Sequence, residues 1–288
     1  MSFDTIYYLI DHRVITLAMV ALLVASAEIG FRLGRRGRDS KESFRSLMSG
    51  TGAAMLGLLG LLLGFSLAMA VARWDARHDM IVNEANAIGT LWLRAGLLEE
   101  PLRGDLRDAL REYTDARIAL GGSRADRGAL RAARSISESL HTSIWSVIEH
   151  ANQPDRSNAV LSSLITAANE VIDIHELRLA SIVNFLPAPL FLLLLTVAAV
   201  ATGFLAWSFG AANQGGRTAI LMLGFLIGAV LLLIMDVNRP QRGRINVGVQ
   251  SLERVGETLA APPPHERLGI GIMNSKPTKE GAERVNGN

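Results

Sequence analysis

The chain has 288 residues, no cysteine, 49% hydrophobic and only 19% charged residues, against roughly 25% charged in an ordinary soluble domain. A mean hydropathy of +0.27 at this length marks a membrane protein or an unusually apolar globule. The missing cysteines exclude disulfides, thiolate chemistry and Cys-based metal centres, and a formal charge of +2 without a clustered basic face gives no support for nucleic-acid binding.

A membrane-crossing helix needs about 20 mainly apolar residues. The first such block runs from Val14 to about Gly34, with Glu28 near its end. A signal peptide is the rival reading, because Ala25-Ser26-Ala27 resembles a cleavage site. Asp4 and Asp11 outweigh Arg13 ahead of the block, however, and Arg32, Arg35, Arg36 and Arg38 follow it, which favours a retained helix. The second block, Gly50 to Ala72, holds no charge. With no proline in the way, its helix is expected to continue through Arg73 to Leu98.

The next segment reads as soluble helices. Glu99 and Glu100 before Pro101 form an acidic first turn at the positive end of a helix dipole. Leu102, Leu106, Leu110, Tyr113 and Ala116 then recur at helical spacing, until Gly121-Gly122. Ser123 with Asp126 resembles a capping box for a helix whose stripe is Leu130, Ala133, Ile136, Leu140, Ile144, Val147 and Ile148. Asn152-Gln153-Pro154-Asp155 breaks it. A last helix from about Ser157 stripes Leu161, Leu164, Ala168, Val171, His175 and Ile182.

The third apolar block runs from Val183 to about Phe209. Pro187 and Pro189 mark its start or a kink, since proline costs a helix backbone bonds. The fourth runs from Thr218 to Val237 and is uncharged until Asp236. After the basic turn Asn238 to Arg244, Leu252, Val255 and Leu259 suggest a short amphipathic helix. Residues 262–288, rich in Pro, Gly and Lys, read as disordered.

The expected fold is an all-α integral membrane protein with two transmembrane hairpins flanking a helical extramembrane domain. Its expected divisions are 1–72 (first segment and hairpin), 73–182 (extramembrane domain), 183–237 (second hairpin), 238–261 (basic turn and amphipathic helix) and 262–288 (tail).

Five runs carry a family resemblance: Gly57-Leu58-Leu59-Gly60-Leu61-Leu62-Leu63-Gly64-Phe65-Ser66; Arg73-Trp74-Asp75-Ala76-Arg77; Glu84-Ala85-Asn86-Ala87-Ile88-Gly89-Thr90 with Leu93-Arg94; Tyr113-Thr114-Asp115-Ala116-Arg117; and Asp236-Val237-Asn238-Arg239-Pro240 with Gly243. Together they resemble the bestrophin-like family of bacterial membrane proteins, over roughly residues 14–255. The resemblance implies two membrane hairpins around a helical insertion, a homo-oligomer (a pentamer, as in bestrophin anion channels), and chloride or other small anions as permeants; that the protein is no enzyme is expected instead from the lack of a cofactor motif or paired catalytic acids. It also implies a multi-pass protein of the inner membrane with the middle domain in the cytoplasm. The positive-inside rule alone gives nearly tied counts for the two faces.

Gly57, Gly60 and Gly64 lie close to one helix face, where small residues allow close helix approach. With Leu62 and Phe65 they form a packing surface or an apolar pore neck. Arg73 and Arg77 make a basic collar at the membrane exit, and Glu84, Asn86 and Arg94 continue it. The basic collar either concentrates anions, contacts lipid phosphates or satisfies Asp75 and Asp79, while Glu84 and Asn86 are placed to reach another helix or subunit. Glu28 is a pathway carboxylate or a helix-end partner of Arg32. Asp236 sits unfavourably at a helix C-terminus, with Arg239 before Pro240 as its expected latch. His141, His150 and His175 lack metal-site spacing, and neither a nucleophile elbow nor a phosphate loop is present, so no catalytic residue, cofactor or metal is expected. The alternative function is a non-conducting membrane scaffold or sensor that binds partners through its middle domain.

Overall fold

The computed structural model describes residues 12–37, 41–122, 127–152, 158–183, 187–212, 216–238 and 247–261. Among them all regular structure is helical: α1 (His12–Arg36), α2 (Glu42–Ala95), α3 (Leu102–Gly122), α4 (Arg127–Ala151), α5 (Asn158–Val183), α6 (Ala188–Ala211), α7 (Arg217–Asn238) and α8 (Gln250–Ala260). The Ser123–Asp126 capping box and the 262–288 tail lie outside the described residues, as do Arg239 and Pro240.

Four of these helices, α1, α2, α6 and α7, are long and apolar enough to cross a membrane, and at most 33% of each span is buried within the chain. Phe225, Leu17 and Phe65, at 64–75% exposure, would be untenable in water and belong against lipid or another subunit. The protein is therefore an all-α membrane protein. Pro187 stands just ahead of α6, at its cap position, and Pro189 lies in its first turn, where a missing backbone N–H costs nothing. The proline pair thus starts the helix and does not kink it.

Two glycine-bearing helices make the tightest crossing. A Cβ on Gly30 of α1 would lie 2.1 Å from the carbonyl oxygen of Gly203 on α6, and one on Gly34 would lie 2.1 Å from that of Trp207. Ser26 adds a hydrogen bond from its hydroxyl to the Ala199 carbonyl. In lipid, close backbone approach of this kind replaces the hydrophobic drive that water would supply. Helix α6 thereby sits at the centre of the membrane half, touching α1, α2 and α7.

Helix α2 has 54 residues and, at 1.5 Å per residue, is about 80 Å long. A hydrocarbon core of about 30 Å takes up less than half of it. Its membrane half joins a core with Met19, Leu194, Leu231 and Ile234. Its other half joins a second core with Leu106, Tyr113, Ile144, Leu164 and Val171 from α3, α4 and α5. Leu252 and Leu259 of α8, 0% and 1% exposed, close that bundle. The acidic turn before α3 works as its charge suggests: the Glu100 carboxylate accepts the Gly104 N–H at 3.0 Å. Ile136, placed on the buried stripe of α4 by spacing, is 50% exposed, whereas Ser137, Leu140, Ile144 and Ile148 are buried; the side chains of Leu130 and Ala133 lie outside the described ones.

Candidate functional site

Three polar constellations and one helix face stand out. The face belongs to α2. At 3.6 residues per turn, Leu59, Leu63, Ser66, Ala70, Arg77, Ile81, Glu84 and Ile88 share one side, and all are buried. Opposite them lie Gly57, Gly64, Ala68, Asp75, Asp79 and Asn86, all exposed. Among the described residues a Cβ on Gly57, Gly60 or Gly64 would meet nothing within 4 Å, so these glycines bring no described helix close. Phe65 flanks them at 64% exposure, and Leu62 is half-buried against the membrane core. Further along the same helix, Asn83 and Asn86 line a groove of about 750 Å³ against α5, whose wall is Thr166, Asn169, Glu170, Asp173 and Ile174. The open side of α2 thus runs from glycine and leucine in the membrane to carboxylates and amides beyond it.

The basic residues expected beside this face turn inward. Arg77 is 6% exposed and its Nε donates to the Ser181 carbonyl at 3.3 Å. Arg94 donates to the Ser163 carbonyl at 2.5 Å. Arg73 is half-buried. Both carbonyl contacts tie α2 to α5. Of the five candidate collar residues, Asn86 alone lies on the open side.

Glu84 anchors the second constellation. It is fully buried, accepts from Arg117 Nε at 2.6 Å and from an Nη of Arg178, and accepts the Tyr113 hydroxyl at 3.1 Å. Its position, twelve residues past the apolar span, puts it inside the bundle, where it pins α2 to α3 and α5. Burial alone would raise its pKa, but Arg178 and Arg117 outweigh burial and hold the carboxyl below its ordinary range. Tyr113 is pushed upward by burial and by the neighbouring carboxylate, so it stays a neutral donor. His141 and His175 close the group with their rings edge to face, 4.7 Å between centroids. Burial, reinforced by the Arg117 charge, lowers the pKa of His175 to about 3 and that of His141 in the same direction. Two guanidiniums against one carboxylate leave the cluster with one net positive charge, and both Nη atoms of Arg117 make no hydrogen bond among the described residues. No group of three or more metal-ligating side chains occurs among the described residues.

The third constellation joins the two hairpins. Glu28 accepts from Arg32 Nε at 2.7 Å, and Arg217 Nη2 lies 3.5 Å away. The Arg217 guanidinium also covers the Phe31 ring at 4.9 Å. The Glu28–Arg32 contact is legible at i,i+4 spacing. The Arg217 contact, 189 positions away, is not. Asp236 is half-buried at the end of α7; Arg239 and Pro240, its expected latch, lie outside the described residues.

Sequence spacing did not expose the His141–His175–Tyr113 contact, because the three residues come from three helices. The available signal was weak: polar residues at His141, His175 and Arg117 on otherwise apolar stripes.

A family profile described as Bestrophin-like domain matches residues 17–252. A crystal structure of a bacterial Bestrophin homologue from Klebsiella pneumoniae, a point variant, superposes with a TM-score of 0.60 at 11% identity, covering 84% of this chain and 99% of that one. A second variant of the homologue gives 0.56 at 11%, covering 82% and 97%. A structure described as a membrane protein gives 0.61 at 9%, covering 84% and 97%. At these identities the superpositions establish the shared fold. No curated protein matches the chain in sequence.

Proposed function

The chain belongs to the Bestrophin-like family, and from that membership we propose that it is one subunit of an oligomeric ion channel whose path is lined by the open side of α2. One observation supports this most directly: a charge-free membrane span with a complete face, Gly57, Gly64 and Ala68, left without a partner among the described residues. A single four-helix subunit is too thin to enclose a water-filled path, so the path runs between subunits. Resemblance to bestrophins implies five of them, and implies anions such as chloride as permeants. In this reading 73–182 is the domain outside the membrane, on the cytoplasmic side of the inner membrane, and Leu62 and Phe65 belong to the apolar neck, where dewetting gates conduction.

A second reading concerns selectivity. Asp75 and Asp79 follow the glycine face directly, Glu170 and Asp173 line the groove beyond it, and Arg77 and Arg94 are turned into the bundle. A path rimmed by carboxylates concentrates cations. Purified protein in planar bilayers under a potassium chloride gradient separates the readings, since the sign of the reversal potential reports the permeant charge. A clean, reconstituted preparation that stays silent across voltage, pH and calcium refutes the channel.

A further inference from the structure

Between α1 and α7 lies an apolar groove of about 420 Å³, walled by Val20, Leu23 and Ala27 on one side and Ile220, Gly224 and Gly228 on the other. The glycines keep it open: a Cβ on Gly224 would meet nothing within 4 Å. Along α7 the groove extends from Ile220 to Leu232, about 18 Å at helical rise. Half of a roughly 30 Å hydrocarbon core is about 15 Å, so the groove has the length of one leaflet.

Its mouth is strongly basic. Arg217 stands one turn beyond Ile220, with a side chain 61% exposed. At the same end of the hairpins, the described residues supply Arg32, Arg35, Arg36, Lys41, Arg45 and Arg217 against Glu28 and Glu42. Glu28 is already shared between Arg32 and Arg217, so it neutralises at most one of them. A second copy of the chain, oriented the same way in the membrane, would bring an identical basic end to the same height. Like charges there weigh against a neighbouring subunit filling this groove, whereas the subunit contacts of the proposed channel lie along α2. An anionic head group on an apolar chain satisfies both ends of the site.

We propose that this groove holds one acyl chain of an anionic phospholipid, with its phosphate gripped by Arg217 and Arg32. The site stands apart from the channel reading, since it lies on helices away from the open side of α2.

The test uses the full chain, stripped of lipid in mild detergent and offered equal amounts of phosphatidylglycerol and phosphatidylcholine, with retention read by native mass spectrometry. The phosphatidylglycerol adduct is expected to exceed the phosphatidylcholine adduct about fivefold for each arginine engaged. Arg217→Gln is expected to lower phosphatidylglycerol retention about fivefold and phosphatidylcholine retention by less, because the choline cation already offsets that lipid's phosphate. Gly224→Leu, which enters open space and keeps the melting temperature, is expected to lower retention of both. Equal retention of the two lipids by the parent chain, or unchanged retention by Gly224→Leu, overturns the proposal. A photo-crosslinker replacing Phe225 at the groove rim provides a second arm in native membranes. A phospholipid adduct supports the site; a chain-to-chain adduct, or none to lipid, overturns it.

Discussion

Glu84→Gln removes the one carboxylate that faces two buried guanidiniums. Arg117 Nε is 2.6 Å from Glu84, with both side chains 0% exposed, and Arg178 is 8% exposed. At charge separations of about 4 Å and an effective dielectric constant of about 20, each attraction is worth about 4 kcal/mol before desolvation. Removing one partner of a buried pair typically costs about 3–5 kcal/mol, because the remaining charge is left uncompensated. Here two charges of the same sign remain, so the upper half of that range is expected. Arg117→Met should behave differently. It leaves a one-to-one Glu84–Arg178 pair and removes a guanidinium whose Nη atoms have no described partner, so its expected cost is below about 2 kcal/mol. Melting in detergent, followed by tryptophan fluorescence, reads the difference, since Trp92 is buried in the same core. With about 2–4 °C per kcal/mol for a chain of this size, Glu84→Gln should lower the midpoint by about 8–20 °C and Arg117→Met by less than about 8 °C. Equal shifts, or a larger one for Arg117→Met, would refute the claim that uncompensated positive charge dominates this cluster.

Other outcomes follow from neighbouring groups. His175 has a folded pKa of about 3, depressed below the ordinary value near 6.5, so the unfolded chain takes up a proton first as pH falls. Its contribution is complete above about pH 6.5 and is lost towards pH 3; by pH 5 the loss is about 2 kcal/mol. Melting of the bundle should therefore be markedly lower at pH 5 than at pH 7, and His175→Gln should flatten that slope. Gly30→Ala places a methyl carbon about where 2.1 Å separates it from the Gly203 carbonyl; overpacking of about 1–3 kcal/mol or more is expected, seen as a lower melting point. Gly57→Ala meets open space and should leave the melting of a detergent-isolated monomer unchanged, so any change in oligomer size by light scattering locates that glycine at a subunit contact. Replacing Asp75 and Asp79 together by Asn should move the reversal potential toward anion selectivity if the open side of α2 lines the path; an unmoved potential removes that face from the conduction pathway.

Helix identity was legible because it depends on local quantities. The uninterrupted run from Gly50 to Leu98 lacks proline, and its apolar half declares a membrane crossing by length alone; α2 is accordingly one helix, ending at Ala95. Stripes such as Leu106, Leu110 and Tyr113, or Leu164, Ala168 and Val171, repeat at the helical period and are buried. The Glu28–Arg32 pair follows from i,i+4 spacing on a single helix. The positions and partners of the candidate site residues were far less legible. Glycines at three- and four-residue steps look alike whether they meet a backbone, as Gly30 and Gly34 do, or open space, as Gly57 and Gly64 do. Arg77 and Arg94, spaced like a collar, are drawn inward by carbonyl groups on α5.

The amino-acid sequence by itself determined that this chain is a membrane protein of apolar helices around a polar helical insertion, since hydropathy and period act within one segment. Tertiary structure alone decided where each charge is spent. Glu84, Arg117 and Arg178 come from three helices, and Arg217 reaches Glu28 across 189 positions. Such partnerships depend on which faces meet, and a periodic pattern says that a face is apolar or polar without saying what lies opposite.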